Sequence, residues 1–278
     1  MKPLILIDTS YTSFYRFFAT IRWYSFAYPE EFKILKIDNK YDWFTNDIFI
    51  QKYEKMYLES ISKLIKKKIF NNSNIIFCMD TPKEKLWRIN IQNDYKSGRC
   101  DLSLKHNYKT TFDYTYNTMI PKIIEQNKNI HKIRLEEVEA DDIIAAICMY
   151  LYQEIPTQEI YLVSGDADFL QLGRDNLIFI NYKQKKSFIL TLEEAKISLR
   201  NKIINGDKSD CIPGIFPKRV NKKKILESDF KLFDYLELNP ISKMQYEKNK
   251  LIIDFNNIPK KYINKIIKLY LILNICHY

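Results

Sequence analysis

The sequence lacks the features that mark membrane-spanning, secreted and zinc-binding proteins. No apolar stretch approaches the roughly 18 residues that a spanning helix needs, and the N-terminal PLILID is too short for a signal-peptide core and ends at Asp8. The five cysteines are scattered, odd in number and without a C-x-x-C pair, so neither a zinc knuckle nor a disulfide framework is indicated. We therefore expect no membrane insertion and an intracellular, reducing compartment such as the cytoplasm or nucleus.

Negative charge is also in deficit. The 278 residues carry a formal net charge of +10, and the sequence pI is about 9.1. A basic excess attracts polyanions, and charge alone does not choose between nucleic acid and an anionic membrane surface. With 46% hydrophobic residues, the chain is long enough for one large domain or for a domain with a smaller appendage.

Three short apolar runs each stop at an aspartate. They are LILI before Asp8, IIFCM before Asp80 and IYLVSG before Asp166. Such runs are typical of strands buried on both faces of a parallel sheet, and helical patterns lie between them at 48–69, 114–127 and 138–153. This alternation predicts an α/β fold. Because ligands of such sheets bind beyond the carboxyl ends of the strands, the three aspartates should converge on one cleft.

Further carboxylates follow in EEVEADD and GDKSD. The full set of candidate acidic residues is Asp8, Asp80, Glu139, Asp141, Asp142, Asp166, Asp168, Asp207 and Asp210. Each cluster alone is explained by helix capping or turn formation. Taken together in a basic protein, crowded carboxylates repel each other unless cations neutralise them, and Mg²⁺ prefers such oxygen ligands. The pattern predicts a divalent metal site.

A basic stretch from Lys83 to Lys109 follows directly on Asp80 and should overhang this cleft. The alternative is a solvated charged loop. An acidic metal site within a basic protein favours chemistry on phosphodiesters, where two ions roughly 4 Å apart activate a water and stabilise the leaving oxygen.

In order and spacing, the motifs resemble those of the 5′ nuclease superfamily, which includes flap endonucleases, phage 5′-3′ exonucleases and the 5′ nuclease domain of bacterial DNA polymerase I. The motifs are LILIDTS, IIFCMDTP, DYKSGR, EVEADD, VSGDADFLQL and GDKSDCIPGI, and the resemblance spans residues 1 to about 230. It implies a PIN-like α/β fold: a central, mostly parallel sheet with helices on both faces, a helical arch or flexible loop, and a helix-two-turns-helix-like element. The implied organisation is one 5′ nuclease domain, with a core over 1–200, an arch over about 83–112, a DNA-binding element over 201–230 and a C-terminal packing segment over 231–278.

The resemblance also implies residue roles. The nine carboxylates would hold two divalent cations, Mg²⁺ with Mn²⁺ as a substitute, directly or through water. Asp8, Asp80, Lys96 and Arg99 would form the catalytic set, with the two basic residues engaging the scissile phosphate. Nucleic-acid contacts are expected from Arg88, Lys96, Arg99, Lys105, Lys109, Lys218, Arg219, Lys222, Lys223 and Lys224. For Tyr95, Tyr108 and Phe112, stacking on an unpaired base competes with core packing.

The implied function is structure-specific hydrolysis of DNA at 5′ flaps, nicks and 5′-ended duplexes in replication or repair, with RNA primers in RNA–DNA hybrids as a further substrate. A PIN-like ribonuclease and a non-catalytic nucleic-acid-binding homologue remain as alternatives. A monomer is expected.

Two segments depart from the family pattern. After IPG the family usually has further glycines, but GIFPKRVNKKKIL contains Gly214 alone. In the family, the backbone at these glycines approaches duplex phosphates and a monovalent cation. Their absence predicts no potassium dependence and a duplex held by basic side chains. The aromatic segment 20–45 contains Trp23 and Trp43, and it either alters how the duplex is held or packs on the core.

Overall fold

A six-stranded sheet forms the centre of the computed structural model, which describes residues 1–36, 41–98, 109–217 and 220–273, apart from the side chain of Lys223. The strands are β1 (Leu4–Asp8), β2 (Asn74–Met79), β3 (Ile130–Arg134), β4 (Ile160–Ser164), β5 (Leu177–Asn181) and β6 (Lys186–Phe188). Their order is β3-β2-β1-β4-β5-β6, and all neighbours are parallel except β5 and β6. The predicted fold class, a mostly parallel α/β sheet, is confirmed.

The helices cover both faces and one end of this sheet. They are α1 (Thr9–Ala27), α2 (Pro29–Leu35), α3 (Asp47–Ile65), α4 (Lys67–Asn71), α5 (Lys109–Tyr114), α6 (Ile120–Gln126), α7 (Ala140–Glu154), α8 (Leu192–Asn205), α9 (Lys222–Ile225), α10 (Asp229–Leu238), α11 (Pro240–Ile253) and α12 (Lys260–Ile272). A π-helical turn over Thr115–Met119 joins α5 to α6. Of the helices in the described ranges, none has the length and apolar character required to cross a membrane.

Alternating residues of β1 separate two hydrophobic cores. Leu4 and Leu6 face a core completed by α7 and α12, whereas Ile5 and Ile7 face a core completed by α1 and α3. All four side chains are fully buried. Near the C-terminus, α12 buries Tyr262, Ile266 and Tyr270 in the first core.

The predicted strands are β1, β2 and β4, and the predicted helical patterns correspond to α3 with α4, to the end of α5 with α6, and to α7. Strand β3 was not predicted because its sequence IHKIR buries only Ile130 and Ile133 and therefore lacks a continuous apolar run. The short edge strand β6 buries none of its three residues.

The described residues of the aromatic segment, 20–36 and 41–45, pack on the core, which was one of the two expected outcomes. Trp43 is buried and stacks with Phe32, and the ring centroids of Phe44 and Tyr114 are 4.7 Å apart. Because Tyr114 ends α5, the segment supports the helix in which the predicted arch ends.

The turn after α8 depends on two glycines. Gly206 has a φ of 69°, and a Cβ there would collide with the carbonyl oxygen of Ile212. A Cβ at Gly214 would lie 2.8 Å from the carbonyl oxygen of Asn205. Between them, Asp207 and Ile212 exchange two backbone hydrogen bonds of 2.9 and 2.8 Å. The turn therefore fixes GDKSD against the end of α8.

Candidate active site

Four of the predicted metal-binding carboxylates line a cavity of about 720 Å³ at the carboxyl edge of the sheet. Asp8 ends β1, Asp80 follows β2 and Asp166 follows β4, while Asp141 reaches the same cavity from the first turn of α7. Because β2, β1 and β4 are adjacent and parallel, their carboxyl ends meet at one edge. The structure thus brings the three strand-end aspartates together.

Asp168, Asp207 and Asp210 form a separate group whose carboxylate oxygens lie within 4.8 Å of one another. Lys202, from the last turn of α8, forms ion pairs with Asp168 and, at 2.9 Å, with Asp207. The neighbours Asp166 and Asp168 therefore belong to different groups, since a 3₁₀ turn capped by Asp166 begins between them. The two aspartates that follow β4 thus belong to different groups, which limits the repulsion between their carboxylates.

Lys96 lies between the two carboxylate groups. Its Nζ pairs with Glu139 and lies 3.9 Å from Asp210 Oδ2, and the side chain lines the cavity. The backbone of Lys96 has a φ of 57°, and its N–H donates to the carbonyl oxygen of Asp210 at 3.1 Å. This lysine is one of the predicted catalytic residues, whereas Arg99 lies outside the described residues.

Arg88 does not have its predicted place on the nucleic-acid surface. The side chain is buried, and its Nη1 donates to Glu139 at 3.0 Å and to Asp142 at 2.9 Å. Its Nη2 donates to Asp142 at 2.8 Å, and its Nε donates to the carbonyl oxygen of Ile252 at 2.9 Å. Because the side chain is buried and each of its nitrogens donates inside the protein, Arg88 does not present its guanidinium to a phosphate at the surface.

Asp142 requires a related correction. It is fully buried, and besides Arg88 it accepts hydrogen bonds from Trp87 Nε1 at 3.0 Å and from the backbone N–H of Glu139 at 3.1 Å. Its oxygens therefore point away from the cavity that holds Asp141. Asp142 positions Glu139 through a capping box at the start of α7 and does not act as a direct metal ligand.

Three carboxylates of the cavity, those of Asp8, Asp80 and Asp141, hold their protons unusually tightly. Burial, with a further contribution from Asp80, raises the pKa of Asp8 to about 7. Burial also raises the pKa of Asp80 and, well above its usual range, that of Asp141. Divalent cations bind such crowded oxygen ligands by replacing protons, so the donor set fits hard metal ions.

The pKa of Glu139 is shifted in the opposite direction, downwards. Burial alone would raise its pKa, but Lys96 and Arg88 bring the pKa down to about 2. Glu139 also accepts from Tyr95 Oη at 3.0 Å. Tyr95 is buried in this contact, so the structure favours packing over base stacking for that residue.

Hydroxyl groups that sequence reasoning missed orient the cavity carboxylates. Ser164 Oγ donates to Asp8 Oδ2 at 2.8 Å, and Ser10 Oγ donates to Asp80. Tyr116 Oη shares a hydrogen bond of 2.7 Å with Ser10. Ser10 and Ser164 stand within two residues of aspartates at strand ends, which is a usable signal, whereas Tyr116 reaches the site from a distant π-helical turn.

The other residues predicted to contact nucleic acid fall into three groups. Lys109 lines the cavity at the start of α5, together with Phe112. Lys222 and Lys224 are exposed on α9, with Lys222 Nζ 5.7 Å from the Phe216 ring centroid. The predictions for Arg99, Lys105, Tyr108, Lys218 and Arg219, and for the side chain of Lys223, fall outside the described residues.

The sequence profile of the family described as "5′-3′ exonuclease, N-terminal resolvase-like domain" matches residues 3–200. The chain belongs to this family. The match covers most of the protein and confirms the predicted 5′ nuclease family and enzyme class.

Comparisons with individual proteins agree with this membership of the 5′-3′ exonuclease family. The chain is 25% identical over 240 residues to the protein named Ribonuclease H of Enterobacteria phage T4, covering 77% of this chain and 75% of that protein. The crystal structure of the T5 D15 protein co-crystallised with metal ions aligns over 98% of this chain and 99% of that one, with a TM-score of 0.65 and 17% identity.

A bacteriophage T5 D15 flap endonuclease variant, in a pseudo-enzyme-product complex with DNA and metal ions, aligns over 98% of both chains with a TM-score of 0.63 and 17% identity. At this identity the structural likeness establishes the fold. The similarity extends beyond the family match into the C-terminal helices.

Proposed function

We propose that this 5′-3′ exonuclease family member is a structure-specific nuclease that uses two Mg²⁺ ions to hydrolyse DNA at 5′ flaps, nicks and 5′ ends. The observation that supports the proposal most directly is the division of the carboxylates into two groups with Lys96 between them. A single buried acid cluster would be consistent with helix capping, whereas two groups that both lie next to Lys96, one of them lining the cavity, fit a two-ion site.

One ion would be held by the cavity carboxylates Asp8, Asp80, Asp141 and Asp166, and the other by Asp168, Asp207 and Asp210. When bound, the two cations neutralise charge on the phosphate, activate water and stabilise the leaving oxygen. Lys202 already offsets the repulsion within the second group, so a cation there competes with its ammonium group.

Lys96 would stabilise negative charge that develops on the scissile phosphate. Its ammonium group lies at the cavity wall next to both carboxylate groups, and the hydrogen bond from its backbone to Asp210 fixes where the side chain begins. A preorganised donor at such a position contributes more than a mobile one because it needs no reorganisation during the reaction. Arg99 remains a predicted partner of Lys96 in this role.

The basic residues suggest how the substrate lies. Lys222 and Lys224 would contact duplex phosphates through their side chains, and Lys109 would contact the 5′ strand near the cavity. The DNA in the structure of the T5 relative supports a DNA substrate. The phage T4 relative is named Ribonuclease H, which supports RNA in RNA–DNA hybrids as a second substrate.

The first test incubates purified protein with internally labelled 5′-flap, nicked and blunt DNA and with an RNA–DNA hybrid, in Mg²⁺ or EDTA. The inactive variant is Asp168→Asn, and the matched control is Asp175→Asn, which changes an exposed aspartate in the turn before β5. We expect Mg²⁺-dependent cutting near the junction by the unaltered protein and the control but not by Asp168→Asn.

Tight binding of every substrate without cutting, by the unaltered protein, would contradict the proposal and favour a non-catalytic nucleic-acid-binding protein. Cutting of the hybrid alone would shift the assignment to a ribonuclease.

A further inference from the structure

The residue at the end of β3 completes a row of charged groups along the carboxyl edge of the sheet. The strand order β3-β2-β1-β4 places Arg134, Asp80, Asp8 and Asp166 side by side, and Arg134 pairs in register with Met79. Because neighbouring strands are roughly 5 Å apart, Arg134 directly flanks Asp80. The row thus consists of three acids with one arginine at its β3 end.

Two contacts fix the side chain of Arg134. Its Nε donates to the carbonyl oxygen of Asp80 at 3.0 Å, and its guanidinium carbon lies 5.4 Å from the centroid of the Tyr116 ring. These contacts leave the two terminal nitrogens unused, and within the described ranges no carboxylate forms an ion pair with them. Since Arg134 is exposed and lines the cavity, its two terminal nitrogens are available to an anion there.

Within the described part of the cavity wall, no other arginine has unpaired terminal nitrogens that face the cavity. Arg88 is buried, donates to Asp142, Glu139 and the carbonyl oxygen of Ile252, and does not line the cavity. Lys96 also lines the cavity, but its single ammonium group pairs with Glu139 and is assigned above to the scissile phosphate. Arg134 is therefore the guanidinium that the described cavity presents, and the planar guanidinium matches two oxygens of a phosphate.

The surroundings of Arg134 indicate which part of the substrate it meets. Lys83 and Lys109 line the same cavity and both belong to the segment predicted to form the arch. The lysines of α9, which we propose contact the duplex, lie elsewhere. They follow α8, and α8 packs against the turn that contains Asp168. Arg134 thus shares the cavity with residues of the predicted arch, along which the 5′ strand would leave the site.

We propose that Arg134 is a specificity-determining residue that binds the phosphate one nucleotide to the 5′ side of the scissile phosphate. The proposal rests on the proposed nuclease function. The same chemistry has two sources: the terminal 5′-monophosphate when the first nucleotide is removed, and the internal phosphodiester when a longer flap is cut. In both cases the phosphate charge is the recognised feature.

The test asks whether the effect of Arg134→Gln depends on the phosphate charge of the substrate. Such a dependence is called coupling here. One arm compares nicked duplexes that carry a 5′-phosphate or a 5′-hydroxyl. The other compares a 5′ flap with its natural phosphodiester and the same flap with one neutral methylphosphonate at that position. Cleavage is measured as kcat and KM in Mg²⁺, and affinity is measured by fluorescence anisotropy in EDTA.

We expect the unaltered protein to lose roughly tenfold to a hundredfold in kcat/KM when the phosphate charge is removed, mainly through KM. Arg134→Gln should be weaker on the charged substrate by a similar factor and insensitive to removing the charge. The matched control is Arg174→Gln, because Arg174 also donates to a backbone carbonyl, that of Gly173, and lies over a tyrosine ring, that of Tyr152. Arg174 does not line the cavity, so this control should keep the full substrate preference.

The outcomes separate the two proposals. Coupling in the first arm identifies the terminal monophosphate, coupling in the second identifies the phosphodiester, and either supports the inference. Equal losses by Arg134→Gln on charged and neutral substrates would overturn it, because Arg134 would then act only through Asp80 and Tyr116. If no substrate is cut but anisotropy shows coupling, the nuclease function fails while phosphate binding by Arg134 stands.

Discussion

Replacing Arg88 by methionine distinguishes the buried role seen in the structure from the DNA-binding role that the sequence suggests. Methionine keeps much of the apolar stem but removes the charge that Glu139 and Asp142 share. Removing one partner of a buried ion pair costs about 3–5 kcal/mol, because the remaining charge is uncompensated. Glu139 would retain Lys96, and Asp142 would retain Trp87, so we expect a value near the lower end.

The expected loss in the free energy of unfolding is therefore about 3 kcal/mol, which corresponds to a fall in Tm on the order of 10 °C. Urea denaturation and calorimetry in EDTA measure it. Adding Asp142→Asn to Arg88→Met should restore part of the loss, because one of the two unpaired carboxylates is neutralised. Arg22→Met, at an exposed arginine of α1, is the control and should change stability by less than about 0.5 kcal/mol.

DNA affinity, measured by anisotropy at a temperature where the variant is folded, should change little in Arg88→Met. The opposite pattern, with unchanged unfolding and a large loss of DNA affinity, would refute the buried pairing. It would place Arg88 on the nucleic-acid surface, as the sequence suggests.

Three further predictions concern the metal site and the turn that supports it. In EDTA, Asp8 of the folded protein has a pKa of about 7, whereas Asp8 of the unfolded chain releases its proton near pH 4. The contribution of Asp8 to the free energy of unfolding should therefore fall as the pH rises between these values. Calorimetry should show this fall reduced in Asp8→Asn, and calorimetric Mg²⁺ titrations should show proton release near pH 6; equal pH slopes with and without the substitution would argue against it. Lys202→Met removes the ammonium group between two aspartates, so Tm should drop in EDTA and rise more on Mg²⁺ addition than in the unaltered protein; an unchanged Mg²⁺-induced shift would count against the competition. Gly206→Ala should cost about 2 kcal/mol or more because of its positive φ and the collision with Ile212, whereas Gly98→Ala, whose Cβ meets nothing closer than 3.5 Å, should be nearly neutral in urea unfolding; similar costs for both would contradict the turn geometry.

Much of the catalytic edge follows from local sequence patterns. The apolar runs before Asp8, Asp80 and Asp166 predict three buried parallel strands, and the structure places all three next to one another. Parallel strands share the direction of their carboxyl ends, so the position of each aspartate along its strand was enough to predict one shared cleft. The order of the acidic motifs also identified the family.

The roles of individual acids could not be read in the same way. EEVEADD contains Glu139, Asp141 and Asp142 within four positions, but helical geometry points Asp141 into the cavity and Asp142 into the core. Successive residues of a helix face different directions, so the function of each depends on what surrounds the helix. The buried Arg88 that decides the matter lies far from α7 in the sequence.

By itself, the sequence determined the α/β class, the three central strands, the family and the set of acids, because apolar runs and strand-end carboxylates are local signals. Only the tertiary structure decided that the acids form two groups, that Lys202 lies within one of them and that Arg134 flanks Asp80. These pairings join residues separated by tens of positions, and they depend on helix orientation and strand order. Charge complementarity in three dimensions, unlike hydrophobic periodicity, leaves no repeating pattern along the chain.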